Sequence, residues 1–118
     1  MKAIIIIDHG SRYPAANDAL FDVVNRMQEL TPELLIKGAH MELCDPTIEQ
    51  VIEDCVNEGA THIVAHPYML SPGRHAIRDI PNMVTEAASK YENITVEVTE
   101  PLGLDDGIIQ VIKKRCGV

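Results

Sequence analysis

The chain reads as a single α/β domain, a doubly wound four-stranded parallel sheet with the flavodoxin-like strand order 2-1-3-4. Three observations predict it. Apolar runs and amphipathic stretches alternate four times along the 118 residues, the rhythm of consecutive βα units. The first and third runs, Lys2–Ile7 and Thr61–His66, are nearly continuous in apolar side chains, as expected of strands buried on both faces. The second and fourth interleave polar side chains: Lys37, His40 and Glu42 in one, Thr95, Glu97 and Thr99 in the other. Polar interleaving marks edge strands, which places strands one and three in the centre.

Each element has its own signal. Strand one, Lys2–Ile7, ends at Asp8-His9-Gly10. The first helix spans about Ala15–Glu29, with Leu20, Val23, Val24 and Met27 at helical spacing and Pro32 just beyond. Strand two lies within Leu34–Leu43. Asp45-Pro46 reads as the N-cap and first-turn proline of helix two, whose apolar stripe is Ile48, Val51, Ile52, Cys55 and Val56 before Gly59 closes it. Strand three is followed by a loop through His75, and helix three is expected to start within a turn of Pro81, burying Ile80, Val84, Ala87 and Ala88. Strand four is Ile94–Val98. Helix four carries Leu104, Ile108, Val111 and Ile112, with Asp105 and Asp106 in its first turn and Lys113, Lys114 and Arg115 in its last, complementing the helix dipole.

Composition narrows the function classes. At 118 residues there is one core and one domain, residues 1–118. A net charge of −8 argues against a nucleic-acid partner, which selects a basic surface. It leaves room for a small anionic ligand, because local field decides such binding. Three cysteines, Cys44, Cys55 and Cys116, show no Cys-x-x-Cys spacing and fit a reducing compartment. The apolar start is too short for a signal peptide or a membrane span, so no membrane partner is expected and the cytoplasm is the expected location. An organelle form with a trimmed transit peptide stays open.

In sheets of this order, ligands bind beyond the carboxyl ends of the strands, where the winding reverses. Here that point lies between strands one and three, whose following segments carry Asp8-His9-Gly10-Ser11-Arg12 and Leu70-Ser71-Pro72-Gly73-Arg74-His75. The topology therefore brings two histidines together without either motif having been used to derive it. A neutral imidazole can ligate a divalent metal or accept a proton near neutral pH. Glu42, ending strand two on the face of His40, is a third ligand or proton acceptor, or else a rim carboxylate that pairs with a lysine or caps helix two. Arg12, Arg74 and Arg78 are candidates to grip carboxylates in fork geometry, against the plainer reading of solvated surface arginines. Ser11 caps helix one or bonds His9. Tyr68 and Met69 floor an apolar pocket or pack the core. His66 reads first as a satisfied core histidine, and His40 and His62 as structural.

At these residues the chain resembles the sirohydrochlorin chelatases, the class II chelatases of the short CbiX/SirB type. The likeness covers essentially the whole chain and rests on Asp8-His9-Gly10-Ser11-Arg12, Ala39-His40-Met41-Glu42-Leu43, Leu70 through His75 with Asp79-Ile80-Pro81, and Pro101-Leu102-Gly103. It implies a lyase-type enzyme that inserts Fe2+ on the way to sirohaem, or Co2+ on the way to cobalamin, into sirohydrochlorin. It implies His9 and His75 as metal-binding and catalytic histidines, and they, or Glu42, would accept the leaving pyrrole protons. Arg12, Ser11, Tyr68, Arg74 and Arg78 would contact the tetrapyrrole, whose eight carboxylates suit arginines and helix N-termini. No cofactor beyond the inserted metal is implied, and a homodimer is expected to restore a two-unit cleft. The competing readings are a metal or tetrapyrrole carrier that does not turn over and a nickel chelatase of the same family. A histidine-phosphatase reading fails at Asp8, which stands where that chemistry needs arginine. A receiver-domain reading fails at His66, which stands where a phosphorylatable aspartate belongs.

Overall fold

The computed structural model describes residues 1–71 and 73–118, with the side chains of Arg74, His75 and Ala76 outside that description. Eight elements alternate along the chain: β1 (Lys2–Asp8), α1 (Pro14–Leu30), β2 (Leu35–His40), α2 (Ile48–Asn57), β3 (His62–Pro67), α3 (Arg74–Ala88), β4 (Thr95–Val98) and α4 (Asp106–Cys116). All neighbouring strands pair in parallel, in the order β2-β1-β3-β4. The expected sheet and its order are those observed.

Alternation along β1 sorts its side chains to the two faces. Ala3, Ile5 and Ile7 join Ile48, Val51, Ile52 and Cys55 of α2 and Ile80 and Val84 of α3 in the larger core. Ile6 turns the other way and packs with Leu20 and Val24 of α1 and Ile36 of β2. α1 lies close against β2 at Gly38, where a Cβ would come within 2.9 Å of Val24 Cγ2. A bare backbone at this position lets the helix seat.

Three boundaries differ from expectation. α2 is capped by Thr47, not by Asp45-Pro46. The Thr47 side chain accepts from the Gln50 backbone N–H while the Gln50 side chain bonds back to the Thr47 N–H, a capping box that satisfies two orphan donors at once. The Asp45–Pro46 peptide is cis and lies ahead of the helix. α3 begins at Arg74, two turns before Pro81, which sits inside it. The local cost of an internal proline, about 3 kcal/mol, is outweighed by tertiary burial of Ile80 and Val84, both fully buried. His75 therefore stands in the first turn of α3 rather than in a loop. Glu42 lies beyond the end of β2, so it does not share a strand face with His40.

α4 differs from the other helices. None of its residues is buried, and Ile109, Val111 and Ile112 of α4 and Leu104 just before it are exposed. Asp105, expected in its first turn, is instead its N-cap, the side chain accepting from Gly107 N–H, and Gly117 stands in the left-handed region at the far end. No described helix is long and apolar enough to cross a membrane.

Candidate metal and tetrapyrrole site

Backbone hydrogen bonds continue past the carboxyl ends of the strands and knit the rim together. Met41 N–H donates to the Asp8 carbonyl (2.9 Å) and Glu42 N–H to the His9 carbonyl (3.1 Å). Tyr68 N–H donates to the Ile7 carbonyl (2.6 Å), and Leu102 and Gly103 donate to Met69 and Leu70 (3.0 and 2.8 Å). The segments after all four strands thus form one continuous shelf. Pro101-Leu102-Gly103 has its role here, as the partner that holds the segment after β3.

His9 stands on this shelf and faces Glu42. Its Nε2 is 3.4 Å from Glu42 Oε1, and each side chain is a little over half exposed, at 56% and 54%. That distance is long for a direct N–H···O bond. It matches two ligands sharing one tetrahedral cation, since bonds of about 2.1 Å put neighbouring donor atoms roughly 3.4 Å apart. Gly10 makes the approach possible. It sits at φ +94°, and a Cβ there would lie 2.0 Å from the Glu42 carbonyl oxygen. Only glycine tolerates both conditions.

Two side chains hold this segment, Asn17, which no motif marked, and His40, which the sequence reads as structural. Asn17, in the first turns of α1, clamps Ser11: its Oδ1 accepts from Ser11 N–H (2.9 Å) and its Nδ2 donates to the Ser11 carbonyl (2.7 Å). Ser11 Oγ accepts from Tyr13 N–H (3.0 Å). It therefore shapes the turn into α1, whose N-cap residue is Tyr13, and is not itself the cap. The second is His40. It is the buried polar side chain of the described core, 1% exposed, with Nδ1 2.6 Å from Asp8 Oδ1 and the Phe21 ring edge-on at 5.7 Å. Its Nε2 is buried without a partner. Leaving such a group unsatisfied costs about 1–3 kcal/mol. An ionised Asp8 accepts only, so the bond puts the ring proton on Nδ1. The pairing was legible only through register, which sets Asp8 directly opposite His40.

The remaining candidates fall as follows. Arg12 and Arg78 are exposed and make no ion pair among the described residues. Tyr68 is partly exposed, while Met69 packs against the larger core. The side chains of Arg74 and His75 lie outside the described residues, so neither their contacts nor a meeting of His75 with His9 is described. Among the described residues no three metal-ligating side chains come together, and His9–Glu42 stands as a pair. His66 is half-buried on β3, its Nδ1 2.8 Å from Thr99 Oγ1, and burial pushes its pKa down. Beside the shelf, Pro67, Ile77, Pro81, Val98 and Pro101, with Thr99 and Glu100 among them, line a mostly apolar recess of about 480 Å3.

The family model described as CbiX matches residues 3–117. The chain is 38% identical over 112 residues to the chloroplastic sirohydrochlorin ferrochelatase of Arabidopsis thaliana, a match covering 95% of this chain and 50% of that one. It is 31% identical to a sirohydrochlorin cobaltochelatase of Methanopyrus kandleri, covering 98% of this chain and 94% of the relative. Among solved structures, the sirohydrochlorin chelatase SirB of Bacillus subtilis subspecies spizizenii in complex with cobalt superposes with a TM-score of 0.88 at 32% identity. That superposition covers 98% of this chain and 50% of the other. The chain thus spans about half the length of the chloroplast relative and of the cobalt-bound structure.

Proposed function

The chain belongs to the CbiX family, and from that premise we propose that it inserts a divalent metal ion, Fe2+ or Co2+, into sirohydrochlorin. The observation that carries this reading is the His9–Glu42 pair, two donors of different type held 3.4 Å apart on an open rim. Imidazole and carboxylate suit first-row cations, and two protein ligands leave the remaining positions to water and to the incoming macrocycle. Insertion exchanges two pyrrole N–H protons for the metal. Glu42, about half exposed, is placed to take a proton from a ring nitrogen approaching the same cation and to release it to solvent. His9 holds the metal until ring nitrogens replace it. The family resemblance assigns His75 as the second histidine, and its position in the first turn of α3, just past the Tyr68–Leu70 shelf, is compatible with that role. The apolar recess beside the shelf suits the ring face, and Arg12 and Arg78 suit its carboxylates.

We also propose that two copies pair to complete the cleft. Longer relatives have room for a second unit of this size, and α4 presents an apolar face with no cover from its own chain. A sedimentation measurement at micromolar concentration is expected to show a dimer, and a monomer would remove this part of the proposal. The three cysteines are free, which is compatible with the cytoplasm as the proposed compartment.

The test is anaerobic insertion into sirohydrochlorin followed by absorbance, with Fe2+, Co2+ and Ni2+ each compared against a reaction lacking protein. Acceleration with Fe2+ or Co2+, abolished in His9→Ala and in His75→Ala while both variants stay folded, is the expected outcome. Tight tetrapyrrole binding without acceleration by any metal would make the protein a carrier.

A further inference from the structure

We infer that His40 is a positioning residue for metal capture, acting through Asp8 on the segment that carries His9. The inference rests on the metal site proposed above at His9 and Glu42. His40 and Asp8 are register partners at the ends of β2 and β1, and one and two residues further on the same two chains present His9 and Glu42. Their side-chain bond of 2.6 Å lies directly beneath the two backbone bonds that tie Met41 to Asp8 and Glu42 to His9. The His40 Cβ lies 3.4 Å from where a Cβ on Gly10 would stand, so the end of β2 runs close against the turn. Three successive links therefore set the spacing of the two proposed ligands, and the lowest of them is a side-chain pair.

The surroundings of His40 argue that this pair is kept for the site rather than for the fold. Its ring is enclosed by Phe21 and the sheet, an apolar niche that a leucine would fill without leaving an unpartnered nitrogen. Replacing both members of a buried polar pair with apolar side chains of similar volume is commonly neutral or stabilising, whereas removing one member alone strands the other. What an apolar side chain cannot do is hold the Asp8 carboxylate, and a free carboxylate beside His9 can swing toward the cation or away from the shelf. Partners of this outer kind typically change metal affinity 10–100-fold when removed.

Co2+ alone, followed by its visible ligand-field absorption, is the probe. His40→Leu is expected to lower the melting midpoint, because Asp8 loses its partner, to weaken Co2+ binding roughly 10–100-fold with an altered spectrum, and to raise the metal KM far more than it lowers kcat. His40→Asn, whose Nδ2 can donate where Nδ1 did, is expected to recover most of the affinity. If His40→Leu does not fold, Asp8→Ala and Asp8→Asn replace it. Asp8→Ala loses the acceptor and is expected to show the same weakening, while Asp8→Asn keeps an acceptor and stays within several-fold of wild type. A His40→Leu protein with wild-type Co2+ affinity and spectrum overturns the inference, as does His40→Asn behaving no better than His40→Leu. Wild-type protein that binds no Co2+ would remove the metal site itself; wild-type binding with an indifferent His40 removes only the positioning role.

Discussion

Past β1 and β2 the rim carries Asp8, His9, His40 and Glu42, all within two residues of a strand end. Past β3 and β4 it carries Tyr68, Met69, Pro101 and Leu102, with Ile77 and Pro81 of α3 close by. The backbone scaffold is the same on both sides, since parallel pairing continues beyond each strand into a hydrogen-bonded shelf. The side chains differ in kind. One half offers donors to a cation, and the other offers apolar surface to a flat ring. A reaction that joins a hydrated cation to the apolar face of a macrocycle needs both, and the sheet keeps them apart by one strand spacing while fixing their relation.

The comparison can be broken from either side. The largest effect is expected at Gly10. Alanine there meets a carbonyl oxygen at 2.0 Å and adopts a positive φ, so Gly10→Ala should lose about 3 kcal/mol or more in denaturant unfolding. The surviving folded fraction should bind Co2+ poorly, because His9 and Glu42 are forced apart. The opposite half should respond differently. Ile77, 64% exposed at the apolar recess, contributes little to the core, so Ile77→Ser should leave thermal stability and Co2+ titrations near wild type. It should raise the KM for sirohydrochlorin several-fold in the insertion assay. Equal loss of metal and tetrapyrrole affinity in this variant would mean the two halves do not divide the work.

The smallest effect is expected at His66, on the β3–β4 side. Burial lowers its folded pKa below the usual 6.5. As pH falls below that value the unfolded chain takes up a proton that the folded chain resists, so folding stability drops and levels off once folded His66 is itself protonated. Urea midpoints for wild type and His66→Gln, taken at about pH 7.5 and about pH 5.5, should show a shallower loss in the variant. An identical loss would place the pH response in other histidines.

Much of the architecture was legible in the residues. Continuous apolar runs identified the two central strands, and Lys37 and Glu97 on the other two identified the edges, because burial on one face or two is written directly in side-chain polarity. The ends of helices were harder. Asp45-Pro46 has the look of a helix start, yet the Thr47–Gln50 pair two residues later satisfies more donors and wins. Pro81 looked like a boundary, and the fit of Ile80 and Val84 into the core carried the helix through it. Strand order alone brought the segments of His9 and His75 together, the latter's side chain lying outside the described residues. It offered Glu42 only as an optional third ligand, which the structure sets opposite His9. Asp8–His40 and Asn17–Ser11 were not legible, because each depends on a one-residue match of register or turn that periodicity does not report. α4 shows a third kind of limit. Its apolar stripe resembles that of α2, and nothing in the pattern of a stripe says which surface it will meet.

The shelf also acts as a ruler. Neighbouring strands in any sheet lie about 4.8 Å apart, and the backbone bonds that continue β1 and β2 past their ends carry that spacing out to His9 and Glu42. Away from Gly10 and the Asn17–Ser11 clamp, loop sequences around the rim are therefore free to drift without changing the gap. The gap itself can be retuned only by altering side-chain reach, as when a glutamate gives way to an aspartate. Selection among cations of different radius would then be recorded in side-chain length at two positions, while the backbone beneath them stays the same.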